Sequence, residues 1–204
     1  MPGFLPPKTQ PASSPQSRRA DAKRNYARIV EIARTVVAEE GTNASLRDIA
    51  RRAGVGMGTL YRHFPTRDAL LEALLRQGFD DLARTGEELE RSASALEGLS
   101  IWLSQFVDAA ARYRGLTASM MATIADTTSA LHASCLSMRE AAHRLLERAK
   151  AAGEIRPDAT SDDLFALVSA VAWVADYGPS VGEQRSRLLS IVLDGLSVRH
   201  HRSD

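Results

Sequence analysis

The chain has little cysteine, few aromatic residues and no long apolar run. One cysteine, Cys135, occurs in 204 residues, which excludes an internal disulfide and the Cys/His spacings of a structural metal site. Five histidines are scattered along the chain and give no helix-face ligand pair, and no Ser/His/Asp set or paired carboxylates stand out. No catalytic residues, no cofactor-binding residues and no metal ligands are therefore expected, and the chain reads as not an enzyme. No apolar run reaches the roughly 18 residues of a membrane span. The N-terminus also lacks the apolar core of a signal peptide, so the expected location is cytoplasmic. No segment alternates with period two, so no sheet is expected.

What the chain has is helix-forming material. β-branched and aromatic residues are thin, Ala, Leu, Arg and Glu abound, and apolar residues make up 44%, enough for a sizeable core. The net charge of +1 conceals an asymmetry. Residues 1–75 hold 12 Lys+Arg against 7 Asp+Glu, whereas 76–204 hold 14 against 18. A basic first part joined to an acidic remainder points to an anionic partner for the first part alone.

Residues 1–20 read as a disordered tail, dense in proline up to Pro15 and closing on the basic residues Arg18 and Arg19. With Lys23 and Arg24 these form a basic cluster, either a solvated helix start or an arm that touches phosphate. A helix is expected from Asp21 to Glu40, ended by Gly41, and a second up to about Ala53, capped by Asn43 or Ser45, with Asp48 three residues after Ser45 in a loose capping box. A third runs from Met57 to His63 and is stopped by Pro65. Thr66 caps a long, Leu-rich fourth helix reaching about Glu90. Five more follow, over 95–112, 115–125, 128–152, 161–177 and 181–199. The expected fold is all-α with about nine helices.

Ser45–Phe64, SLRDIARRAGVGMGTLYRHF, carries the functional signal. Leu46, Ile49, Ala53, Val55, Leu60 and Phe64 can lock two short helices together, and Gly54 lets the turn between them close. This is the pattern of a helix-turn-helix, whose second helix offers a polar face to the major groove of double-stranded DNA. That face comprises Met57, Gly58, Thr59, Tyr61, Arg62 and His63. Gly56 and Gly58 let the helix start approach phosphate. Thr59, Tyr61 and His63 suit phosphate contacts, while base reading falls to Arg47, Met57, Thr59 and Arg62. Any helical protein offers lookalikes of this pattern. A dinucleotide-binding loop is excluded, because the glycines follow a helix and the third is out of place.

LRDIARRAGVGMGTLYRHFPTRDALLEAL resembles the DNA-binding domain of the TetR family of transcriptional regulators, over about residues 22–75. AAGEIRPDATSDDL, residues 151–164, resembles the link between the seventh and eighth helices of that family. The resemblance implies an N-terminal three-helix DNA-binding domain over 21–66 and a helical ligand-binding and dimerisation domain over 67–199. It also implies a homodimer and a repressor that leaves its operator when a small-molecule effector binds. Family members often carry Ser at the position of Gly56, so a cap and a phosphate contact are lost here.

The resemblance also implies a cavity within 80–180 and a dimer face formed by the last two helices. The nearly apolar stretch 164–175 and the stripe of the last helix suit an intersubunit four-helix bundle. Trp102, Phe106, Tyr113, Met120, Met121, Met138, Trp173 and Tyr177 are the candidate pocket residues, although such stripes are more often plain core. Few charges fall on inner faces, which favours an apolar or weakly polar ligand. Cys135 reads as a core thiol. The competing readings are a helical enzyme and a helical ligand-binding or adaptor protein without DNA binding. A broken recognition helix or an acidic first domain would mark the latter, and neither occurs.

Overall fold

The computed structural model describes residues 15–113, 116–174 and 181–198. Ten α-helices and one 3-10 turn lie among them, with no strand and one isolated antiparallel bridge between Ile155 and Ser197. No helix among the described residues is long and apolar enough to cross a membrane.

The first part comprises α1 (Pro15–Glu40), α2 (Leu46–Arg52) and α3 (Met57–His63). α1 starts at Pro15 rather than Asp21, so residues 15–20, expected as tail, are helical. The reason is positional. Proline in the first turn lacks only an N–H that has no helical partner there, and its fixed φ suits the helix. The rest of the expected tail, residues 1–14, lies outside the described residues.

α2 is capped by Ser45, whose Oγ accepts from the Asp48 N–H at 3.4 Å. It ends on Gly54 at φ +62°, where the left-handed backbone favours glycine. There the Val55 N–H reaches the Ala50 carbonyl at 3.0 Å and the Gly54 N–H reaches the Arg51 carbonyl at 3.1 Å. These are the two reversed bonds of a Schellman ending, and they fix the angle at which α3 leaves.

α4 (Arg67–Leu89), capped by Thr66, joins the two parts. It packs on α1 at one end and on α5 (Ala95–Arg112) and α8 (Ala130–Ala151) along the rest. Its buried residues run from Leu70 to Gly86, as an amphipathic helix with cores at both ends requires. Near its end, α4 touches its neighbours closely. A Cβ placed on Gly86 would stand 2.6 Å from the Ala141 Cβ and 3.3 Å from the Trp102 Nε1.

The single helix expected over 115–125 is two, α6 (Leu116–Ser119) and α7 (Met121–Ala125). They part at Met120, which has φ −101° and ψ 8°. Its N–H bonds to both Leu116 and Thr117 carbonyls while its side chain is buried. The bend keeps Leu116 and Met120 in the core as the chain turns toward α8. α9 (Ser161–Val174) opens on a reciprocal cap: the Thr160 N–H donates to Asp163 Oδ2 and the Asp163 N–H to Thr160 Oγ1, each at 3.1 Å. α10 (Val181–Leu196), the last described helix, packs on α9 and α5.

Candidate functional site

Two regions hold the candidate residues: the exposed face of α2 and α3, and a cavity behind α4. On the first, Leu60 and Phe64 are buried and fasten α3 to the domain. Tyr61, Arg62, Gly58 and Arg47 are exposed on the outside, and Met57, Thr59 and His63 are half-buried. Gly56 is the N-cap of α3 and contributes no side-chain bond.

The cations of this face fall into two groups. Arg51 bonds the Asp48 carboxylate, and Arg52 lies 2.9 Å from Glu39, 3.5 Å from Glu40 and 2.5 Å from Asp48. The hydrogen bond from Arg51 holds the Asp48 carboxyl below the usual range. Arg47 and Arg62, by contrast, have no ionic partner among the described residues. Their charge remains available to an anion outside the protein.

The face is braced from behind. Tyr26 of α1 sets its ring 5.0 Å from that of Phe64 and 6.1 Å, edge-on, from that of His63. Its hydroxyl accepts a hydrogen bond from Arg76 of α4 at 3.1 Å. Arg34 of α1 lies 3.4 Å from Asp81 of α4, and Arg67 of α4 donates to the Thr42 carbonyl at 3.2 Å. α4 thus grips the domain by three polar ties besides its buried leucines.

The cavity has a volume of about 500 Å³ and lies between α4, α5, α6, α7, α8 and α9. Of the candidate pocket residues, Phe106, Tyr113, Met121 and Met138 line it. Trp102 and Met120 do not. The indole of Trp102 is fully buried and donates to the Leu82 carbonyl at 2.9 Å, so it belongs to the packed core, and Met120 is buried at the α6–α7 bend. The side chain of Trp173 and the whole of Tyr177 lie outside the described residues. Leu75, Gly78, Phe79 and Leu82 of α4 form one wall, and Phe165, Cys135 and Arg139 lie on others. Burial pushes the Tyr113 hydroxyl and the Cys135 thiol above their ordinary pKa values.

Comparison with known proteins decides the family. Residues 29–74 match the profile of the bacterial regulatory proteins of the TetR family. Residues 94–198 match that of the SbtR-like transcriptional regulator C-terminal domain. The transcriptional repressor KstR2 of Rhodococcus jostii is 30% identical, with 97% of this chain and 100% of that protein covered. The chain belongs to the TetR family of transcriptional regulators.

Two solved TetR structures resemble it closely. A regulator of Streptomyces coelicolor is 38% identical with a TM-score of 0.70, covering 85% of this chain and 99% of that one. A regulator of Mycobacterium vanbaalenii is 31% identical with a TM-score of 0.68, covering 89% and 99%. The ties between α4 and the DNA-binding domain of this TetR regulator are not visible in the sequence. Tyr26 was legible only as part of the α1 stripe, and nothing in the sequence pairs it with Arg76. Arg139 and Phe165 were missed as cavity residues. Arg139 did carry a signal, since it falls four residues after Cys135 on the inner side of α8.

Proposed function

We propose that this TetR regulator is a repressor that binds operator DNA as a homodimer and is released when a small molecule fills the cavity behind α4. It works by binding rather than by catalysis. Residues 21–66 would engage the DNA, and 67–199 would hold the effector and the partner subunit. The observation that carries the reading is the division of cations on α2 and α3. Arg51 and Arg52 are neutralised within the domain, whereas Arg47 and Arg62 stand exposed without ionic partners beside Tyr61. In this reading Thr59, Tyr61 and His63 position α3 on phosphates, Gly56 and Gly58 allow close approach, and Arg47, Met57, Thr59 and Arg62 meet base edges.

The outward faces of α9 and α10 support the dimer. Leu167 on α9 and Ile191 on α10 are large apolar residues left exposed, and an isologous pairing of the two helices would cover both. A full-length relative named a repressor supports the sign of the regulation.

The test is selection of bound DNA sequences with the purified protein, followed by titration of the selected site. Affinity should fall steeply with salt, because each phosphate neutralised adds about 0.9 to the slope of log K against log salt. Arg47→Ala and Tyr61→Ala should weaken binding with the dimer intact. If Arg47 meets phosphate, its loss from both protomers lowers that slope by about 2; if it reads a base, the slope holds and discrimination at one position relaxes. A flat salt response, or full affinity in both variants, refutes the interface.

A further inference from the structure

The sequence favours an apolar or weakly polar effector, and most of the cavity wall agrees: Leu75, Phe79, Leu82, Phe106, Met138 and Phe165 are apolar. One lining residue does not fit. Among the described residues Arg139 is the sole charged residue on the wall and no carboxylate lines the cavity. Its guanidinium carbon lies 4.5 Å from the centroid of the Phe165 ring, which also lines the cavity. A flat cation stacked on an aromatic face is oriented by it. The guanidinium is bound at one edge only, where Nη2 donates to Asp162 Oδ1 at 2.5 Å. Asp162 is 87% exposed, and an ion pair that open to water is weak and readily exchanged. The Arg139 side chain is itself 42% exposed, so the rest of the guanidinium's five N–H donors, which have no acceptor among the described residues, are left to water.

We propose that the effector is a large apolar molecule bearing a carboxylate, and that Arg139 is the residue that selects it. The proposal rests on the cavity being the effector site. The apolar body would lie against Phe79, Phe106 and Phe165, and the carboxylate would take the free side of the guanidinium, in competition with Asp162. A carboxylate carried on an apolar body that fills the cavity meets the guanidinium with that body shielding one side from water, whereas Asp162 meets it in the open. A neutral molecule of the same shape gains the apolar contacts but nothing from the guanidinium, whose remaining donors stay with water. The volume, about 500 Å³, is that of sites enclosing drug-sized ligands.

The test compares 1-pyrenebutyric acid with 1-pyrenebutanol, fluorescent probes with one apolar body and different ends, on the full chain. The acid should bind about tenfold more tightly than the alcohol, the worth of a hydrogen bond to a charged group. Arg139→Gln should bring that ratio to about one by weakening the acid, leaving the alcohol nearly unchanged. Arg139→Lys should keep part of the preference. Asp162→Asn should tighten the acid and not the alcohol, by removing the competitor. Equal affinity of the two probes, an acid preference that survives in Arg139→Gln, or no binding by pyrenebutyrate or the slimmer dodecanoate overturns the proposal. Release of operator DNA is measured in parallel. Arg139-dependent selection of the acid without release would leave the selection standing and refute the effector role of the cavity.

Discussion

Replacing Gly86 by Ala tests the packing that fixes α4. The new Cβ would lie 2.6 Å from the Ala141 Cβ and 3.3 Å from the Trp102 Nε1. The first distance is about 1 Å short of ordinary carbon contact. The obstacle is a methyl group fixed directly on the α8 backbone, so it cannot rotate away and the helices must separate. Overpacking of this kind costs about 1–3 kcal/mol. Alanine within a helix returns up to about 1 kcal/mol over glycine. With a contact this short against a fixed methyl, the upper part of the overpacking range, about 2–3 kcal/mol, applies, so the net expectation is a loss of about 1–2 kcal/mol, or roughly 2–8 °C in Tm for a chain of this length. Thermal denaturation at fixed protein concentration reads it, since a dimer's Tm depends on concentration. Ala141→Gly in the same chain should recover part of the loss, which a double-mutant cycle shows as coupling. A Gly86→Ala protein as stable as its parent, or no coupling with Ala141→Gly, refutes the close contact of α4 and α8.

Two further outcomes are expected. Cys135, half-buried in the cavity wall with its thiol pKa pushed up by burial, should react with a maleimide at least about tenfold more slowly in the folded protein than in denaturant. Bound pyrenebutyrate should slow it further, and equal rates in folded and unfolded protein would contradict its placement. The second concerns acid. Thr160 holds Asp163, Arg156 holds Asp158 and Arg51 holds Asp48 below the unfolded value of 3.8. A carboxylate lowered on folding contributes stability above its unfolded pKa and loses it as pH falls through the folded one. Stability should therefore decline as pH drops below about 4. Thr160→Val should soften that decline, and an unchanged acid limb in this variant would remove the α9 cap from the account.

The helices were legible because the signals that set them are local. Ser45 and Thr66, readable as caps, do cap the helices that follow, Ser94 and Ser129 cap two more that the sequence reading left without a cap, and Gly54 ends α2 by a rule about one residue's φ. Pro15 was misleading because proline's effect depends on its place in the turn, and a cluster of prolines does not reveal which of them opens a helix. The break at Met120 was hidden for a different reason. Nothing in its own chemistry forbids helix, and the bend serves contacts with distant segments. The exposed face of α3 follows directly from period and polarity. The cavity does not, since Trp102 and Phe106 lie four residues apart on one side of α5 and their rings stack at 5.6 Å. Which of them borders empty space depends on what stands opposite, and for Trp102 that includes Gly86 of α4 and the Leu82 carbonyl that its indole meets.

Gly86 has a mechanical consequence. A helix rises 1.5 Å per residue, so Gly78 on the cavity wall lies about 12 Å from Gly86, and Arg67 about 28 Å. If the arm turns where Gly86 abuts Ala141, a sideways push at Gly78 is magnified about 2.4 times at Arg67. In a two-fold dimer the two arms swing in opposite senses, which doubles the change in separation of the recognition helices. A molecule that moves the cavity wall by less than the width of an atom would then alter the reach between half-sites by several times that amount.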